Sequence, residues 1–358
     1  IGSSADFLPL FLGLETLSIA LYVLCGYVKS WYISKEAAIK YFLLGSLGTA
    51  FFLYGVALIY GAVHTLNFDA LLENYNALAK KPEKILFLSG VALVTLGLLF
   101  KAAIVPFHTW APDVYEGSAT PVTAFMATGT KIGAFAAFIR IFLEGLLHFN
   151  PVWNEAIALL FFPALIYANL VAIRQVNLRR FFAYSGISHS AFLLIPLSAS
   201  STSSISSILF YLLVYLFAVF LAFAVLVLLD KEKRGLYLDD LKGLFFTSPL
   251  LASFFALALL TLAGIPPTVG FLAKFYIFKA GWESGLYLLV IAALLTTVFS
   301  AFYYFRIVSK MLTKDEGANK DVLTAPLLTN SAFYTGLFFA FLIVFFSIIP
   351  NFLFDWIN

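Results

Sequence analysis

The feature that most constrains this chain is a succession of long apolar runs broken only by short charged connections. A helix that crosses a bilayer needs about 20 mostly apolar residues. On that criterion about ten segments qualify: 7–28, 38–60, 84–106, 118–143, 153–173, 181–199, 205–229, 246–279, 285–311 and 329–350. The sixth is short and is expected to end at Pro196. The eighth is too long for one plain span and contains "AGIPPTVG". The composition agrees: 62% of residues are hydrophobic and 11% charged, against about 45–50% and about 25% in soluble domains. The expected fold class is an all-α polytopic membrane protein.

Loop charge sets an expected orientation. One set of alternate connections holds Lys29, Lys35, Lys40, Arg174, Arg179, Arg180, Lys231, Lys233, Arg234, Lys242, Arg306, Lys310, Lys314 and Lys320. The other holds only Lys80, Lys81, Lys84, Arg140 and Lys279. Lysine and arginine stay on the cytoplasmic side, so the C-terminal "PNFLFDWIN" is expected outside. Trp31, Trp110, Trp282 and Trp356 fall near segment ends, where an interfacial aromatic belt is expected.

Several functional classes are excluded. The net charge is only +3 and no basic face is interleaved with aromatics, which argues against nucleic acid. The single cysteine, Cys25, cannot hold an iron–sulfur cluster, which takes about four ligands. His64, His108, His148 and His189 lack the close spacing of a metal site. No glycine-rich nucleotide fingerprint is present. No redox cofactor or nucleotide is expected in this chain. It starts at Ile1 without a signal-like flank, so the sequence is expected to begin partway through a longer protein.

The informative residues are ionisable groups inside the apolar runs: Lys101 in "LGLLFKAAIVP", Lys131 in "MATGTKIGAFAAF", Lys274 in "TVGFLAKFYIF", and Glu15 in "LFLGLETLSIALYVL". A lysine at the centre of a spanning helix costs roughly 2.5–3.5 kcal/mol on insertion scales. A lone lysine near a segment end simply snorkels; three central ones with an acid at hand form a polar path. A desolvated amine holds its proton less tightly, and a neighbouring carboxylate restores the affinity. Loosening such a pair therefore releases a proton. Moving one charge against about 200 mV takes roughly 4.6 kcal/mol, the equivalent of a pKa swing of about 3–4. Glu15 with Lys101 is the expected pair. Prolines at 106 and at 266–267 interrupt the third and eighth segments, and the freed carbonyls must find donors. Two such interrupted segments point to a transporter site. His189, among serines in "YSGISHSAFLL", has two readings, a proton relay or a hydrogen-bonded core histidine. Asp113 and Glu116 read as cap or loop groups, with guards of a channel mouth as the alternative, His108 as a loop or helix-break residue, and Arg140 with Glu144 as a surface pair.

The stretches "FKAAIVPFHTWAPDVYEGSATPVTAF", "GTKIGAFAAFIRIF", "LAGIPPTVGFLAKF", "LGLETLSIALYVL" and "AYSGISHSAFLLI" resemble the antiporter-like membrane subunits of respiratory complex I. "WAPDVYEGSATPVTAF" resembles the N type of bacterial NADH:quinone oxidoreductase in particular. The resemblance implies inverted repeats with two discontinuous helices, and that the family's first four helices precede Ile1. It divides the chain into the remainder of a first repeat (1–150), a second repeat (151–312) and a C-terminal helix (313–358). It implies that Glu15, Lys101, Lys131, Lys274 and His189 carry protons. NADH, FMN, iron–sulfur clusters and quinone would belong to other subunits. The implied partners are membrane-arm and peripheral-arm subunits and the lipid bilayer. The implied location is the bacterial inner membrane, with the C-terminus periplasmic. A multisubunit cation/proton antiporter or a membrane-bound hydrogenase is the alternative class.

Overall fold

The computed structural model describes residues 1–78, 81–146, 150–199, 201, 203–230, 235–314 and 331–357, with only the backbone at 72, 150–154, 355 and 356. His148, Lys80, Lys231, Lys233, Arg234, Lys320 and the Trp356 side chain therefore lie outside the described residues. Among the described residues the chain is helical, without named strands. In order run α1 (Phe7–Cys25), α2 (Tyr32–Val63), α3 (Phe68–Ala77), α4 (Lys81–Lys101), α5 (Trp110–Gly117), α6 (Thr120–Phe138), α7 (Asn150–Arg174), α8 (Leu178–Ala199) and α9 (Ser204–Leu229). After them come α10 (Leu244–Thr247), α11 (Pro249–Ala263), α12 (Val269–Glu283), α13 (Tyr287–Leu312), α14 (Ser331–Ile348) and α15 (Pro350–Ile357).

Among the described residues 9 helices are long and apolar enough to span a membrane. The apolar pair α11 and α12 occupies the place of the eighth run, which breaks at 264–268. The third run ends earlier than its hydropathy suggests, at Lys101. The sixth does not end at Pro196: α8 passes through it to Ala199. An interior proline removes one N–H and strains one turn, and here packing on every side holds the helix together. α6 continues into a π-helical turn, Ile139–Gly145.

Local chemistry sets several boundaries. Asp6 caps α1 by accepting from the Leu8 amide at 2.8 Å, and Asn67 caps α3 through the Asp69 amide. Gly55 and Gly90 let α2 lie directly on α4, since a Cβ on Gly55 would stand 2.5 Å from the Gly90 carbonyl oxygen. Small residues at such crossings are how membrane helices pack without a hydrophobic driving force.

α8 is the centre of the bundle. The whole of its apolar stretch is buried, although it carries Ser185, Ser188, His189 and Ser190. A helix enclosed by protein can carry hydroxyls and an imidazole, because its neighbours supply the partners that lipid would not. α1, α2, α13 and α14 instead expose apolar side chains such as Leu12, Leu43, Val298 and Phe341, as lipid-facing surface does.

Candidate functional site

The two helix breaks are built alike. α4 closes with Ala103 in the left-handed region (φ 55), and the Ile104 amide reaches back to the Leu99 carbonyl at 3.0 Å. α11 closes with Gly264 at φ 76, and the Ile265 amide reaches back to the Leu260 carbonyl at 3.2 Å. This six-to-one bond after a left-handed residue is the Schellman helix stop. The matching sequences are Leu99–Pro106, "LFKAAIVP", and Leu260–Pro267, "LTLAGIPP".

Each stop leaves an alanine carbonyl without an intrahelical donor, and a lysine from elsewhere supplies one. Lys131 on α6 donates through Nζ to the Ala102 carbonyl at 3.3 Å. Lys274 on α12 donates to the Ala263 carbonyl at 2.8 Å. Ser190 also donates to Ala102, at 3.0 Å, and accepts from Lys131 Nζ at 2.8 Å. The C-terminal end of a helix carries partial negative charge, so each break is a small cation site in protein-lined surroundings. Lys131 and Lys274 are 2% and 3% exposed, which excludes snorkelling to the bilayer surface. Lys274 Nζ also lies 5.1 Å from the centre of the Phe192 ring, within cation–π range. Gly264 is needed twice over: for its φ, and because a Cβ there would stand 2.7 Å from Lys274 Cδ.

Lys101 is the last residue of α4. Its ammonium donates to Glu15 at 3.1 Å and to Ser18 at 2.5 Å, and Thr49 donates to the same Glu15 oxygen at 2.6 Å. The expected pair is thus formed, between α1 and α4, with two hydroxyls around it. Ala102 follows Lys101 directly, so the Glu15–Lys101 pair and the Lys131 amine meet at the same helix end. His189 is buried and held at both ring nitrogens: Nδ1 lies 2.6 Å from the Tyr211 hydroxyl and Nε2 3.0 Å from that of Tyr304. A small cavity with space on the scale of about one water lies between His189, Tyr211, Tyr215 and Lys274. Its lining brings His189 and Lys274 to one space, whereas no hydrogen bond joins Lys131 to His189 among the described residues.

The other candidates fall elsewhere. Trp110 is not in an interfacial belt. It is 1% exposed, stacked on Tyr41 at 4.6 Å, and its Nε1 donates to the Phe100 carbonyl at 3.0 Å. That carbonyl also accepts the Ala103 amide at 3.0 Å, so the indole N–H adds a second bond at the first break. Asp113 and Glu116 are more than loop groups. Asp113 bridges Lys40 at 2.8 Å and Arg180 at 2.7 Å, and Glu116 pairs with Arg180 at 2.8 Å. This clamp fastens α5, the helix after the break, to α2 and α8. Partial burial pushes the Asp113 carboxyl upward, but Lys40 and Arg180 outweigh it and hold the group below the usual carboxylate range. Arg140 pairs with Glu144 and also donates to the Ser4 carbonyl, tying the π-helical turn to the start of the chain. His108 is buried and stands edge-on to Tyr167, 4.8 Å between ring centres. Among the described residues, no group of three or more His, Cys, Asp or Glu side chains is placed to hold a metal ion.

Sequence reasoning missed Ser18, Thr49, Ser190, Tyr211 and Tyr304. Hydroxyl residues within apolar runs were the available signal, but they carry no charge and many satisfy their own helix. Ser18 and Ser190 do both, bonding the carbonyls four residues back and the lysines.

These features define a class: polytopic bundles with interrupted helices and buried amines at the interruptions. The family model described as "NADH:quinone oxidoreductase/Mrp antiporter, TM" matches residues 4–300. NADH-quinone oxidoreductase subunit N of Protochlamydia amoebophila is 54% identical over 326 residues, 91% of this chain and 68% of that one. NADH-quinone oxidoreductase subunit N 1 of Chloroherpeton thalassium is 41% identical over 356 residues, 99% and 73% of the two chains. Among solved structures, a chain of respiratory complex I from Thermus thermophilus with bound aureothin superposes with a TM-score of 0.84 at 34% identity, covering 99% of this chain and 76% of that one. The chain belongs to the NADH:quinone oxidoreductase/Mrp antiporter membrane family, in its subunit N branch.

Proposed function

We propose that the chain works as the proton-translocating subunit N of an NADH:quinone oxidoreductase, moving protons along Glu15, Lys101, Lys131, His189 and Lys274. The relatives' names and the complex I superposition support the subunit assignment over a cation/proton antiporter or a hydrogenase. The observation that carries the relay is the pairing of each helix stop with a lysine, Ala102 with Lys131 and Ala263 with Lys274, the first adjoining the Glu15–Lys101 pair.

In this reading a conformational or electrostatic pulse from other subunits separates Glu15 from Lys101. An ammonium without its carboxylate is a stronger acid. The proton passes toward Lys131 and on to Lys274, from which it leaves. Neither Lys131 nor Lys274 has a carboxylate within salt-bridge distance among the described residues, so helix ends hold their charge, with Ser190 beside Lys131 and the Phe192 ring beside Lys274. NADH, FMN, iron–sulfur clusters and quinone would serve the neighbouring membrane-arm and peripheral-arm subunits. The reading places the complex in a bacterial inner membrane, with the Lys/Arg-rich face cytoplasmic and the C-terminus periplasmic. It treats 1–150 and 151–312 as related halves, each with one break, and 313–358 as an added helix.

Proton pumping by membrane vesicles containing the assembled complex tests the assignment. With Lys101→Met or Lys274→Met, NADH-driven acidification is expected to fall about 100-fold or more, the low end for losing a proton-transferring group. Undiminished pumping by either variant sinks the relay. Flavin and iron–sulfur subunits are expected to copurify with the chain; their absence would remove it from complex I.

A further inference from the structure

We infer that Tyr304 is a proton-delivering residue, the link between the Lys/Arg-rich face and His189, in a line Ser185–Tyr304–His189–Tyr211 that ends at Lys274. The inference rests on the proposed relay and supplies it with an uptake branch.

The geometry runs in one direction. Ser185 on α8 and Tyr304 on α13 lie about two turns, at 3.6 residues each, from the ends of their helices that carry Arg179, Arg180, Arg306 and Lys310. Their hydroxyls are 2.5 Å apart. Tyr304 then meets His189 Nε2, and Tyr211 meets Nδ1 on the opposite edge of the ring. Beyond Tyr211 is the small cavity shared with Lys274. On the near side another small cavity, lined by Gln175, Phe181, Tyr303 and Arg306, opens the same end of α13. All four side chains of the line are buried.

A histidine that served only packing needs one partner for its N–H. This one has a hydroxyl at each nitrogen, and every hydroxyl can donate and accept. Starting with the proton on Nδ1, Tyr304 gives its proton to Nε2 and takes one from Ser185, which is replenished by water entering from the near cavity, whose lining residue Phe181 lies one turn before Ser185 on α8. Nδ1 gives its proton to the Tyr211 oxygen, whose own proton passes through a water in the far cavity to the neutral Lys274 amine. One proton enters, one reaches Lys274, and the ring ends neutral in its other tautomer. Rotation of the hydroxyls, and a flip of the ring that carries its N–H back to the Tyr211 side, reset the line without reversing the transfer.

The competing reading is a merely structural Tyr304, packed edge-on against Phe181, 5.7 Å between ring centres. Tyr304→Phe keeps that packing and removes only the hydroxyl. In assembled complex, Tyr304→Phe is expected to lower NADH-driven pumping about tenfold, less than the roughly 100-fold or more of a directly acting acid–base group, because water can partly replace one hydroxyl of the line. Its solvent deuterium isotope effect is expected to rise above the parent's. NADH–ferricyanide reduction, which needs no membrane relay, is expected to stay at the parent rate. Tyr211→Phe should behave likewise, and stands in if Tyr304→Phe does not assemble. Parent-like pumping and isotope effect in the tyrosine variants, alongside a Lys274→Met complex that does not pump, overturn the inference and leave the relay standing. A Lys274→Met complex that pumps normally overturns the relay itself.

Discussion

The first and second helix breaks share a backbone and differ in charge. Both stop at a left-handed residue followed by isoleucine, and both offer an alanine carbonyl to a lysine amine from another helix. Among the described residues only the first adds an ion pair. Where the second break has Leu262, the first has Lys101, bound to Glu15. The carbonyl cradle is therefore the common device for keeping an amine inside the bilayer. The acid is an addition, and on the proposed relay it makes one end of the path responsive to whatever separates the pair.

Substitutions that break this comparison should differ most at the acid. Glu15→Ala leaves the 8%-exposed Lys101 without its carboxylate. Removing one partner of a buried pair costs about 3–5 kcal/mol, so the complex is expected to lose thermal stability as well as pumping. Lys274→Met removes an amine but strands only a carbonyl, at about 1–3 kcal/mol. Thermal inactivation of the two complexes side by side checks the order, and equal losses would mean that the acid plays no special part.

The left-handed residues give the next contrast. Gly264→Ala meets both the left-handed penalty of about 1–2 kcal/mol and the Lys274 side chain. Ala103→Gly relieves the same penalty at the first break, offset by the greater freedom of unfolded glycine, about 0.5–1 kcal/mol, and should be nearly neutral. A harmless Gly264→Ala would contradict the shared helix stop. Trp110→Phe keeps the stacking on Tyr41 and removes one of two bonds to the Phe100 carbonyl, which keeps the Ala103 amide, for an expected loss of about 0.5–1.5 kcal/mol.

The smallest effect concerns the α5 clamp. The folded Asp113 carboxyl titrates below its unfolded value, about 3.9, so its pairing stabilises fully above that pH. The contribution is lost as pH falls from there through the lower folded value. The pair is more than a third exposed, so about 1 kcal/mol or less is expected. Asp113→Asn should flatten the difference in acid stability between pH 5 and pH 3, measured by unfolding in detergent; an unchanged slope would assign it to other carboxylates.

Much of the fold was legible because apolar length reports spans directly. The lysines and Glu15 stood out because charge is rare there. The exact stops were less legible. Hydropathy continues smoothly through Phe100, Ala102 and Ile104, so the third run seemed to reach Pro106, although the helix ends five residues earlier at Lys101, just before a left-handed alanine, Ala103, that no propensity marks. The likeness of "LFKAAIVP" to "LTLAGIPP" is too short to register as a repeat; it becomes visible once Ala102 and Ala263 are seen to accept equivalent bonds. Trp110 misled because an indole near a segment end suits headgroups and a carbonyl at a helix stop equally well. The tyrosines around His189 were invisible because partners on α9 and α13 lie far away in sequence.

The enclosure of α8 has a further consequence. α2 is a 32-residue helix, about 48 Å long at 1.5 Å per residue, and faces lipid, so it must adapt to hydrocarbon thickness by tilting. α8 touches no acyl chains and has nothing to match. Changing the acyl chain length of the host membrane should re-angle the perimeter while His189 and Ser190 stay where they are.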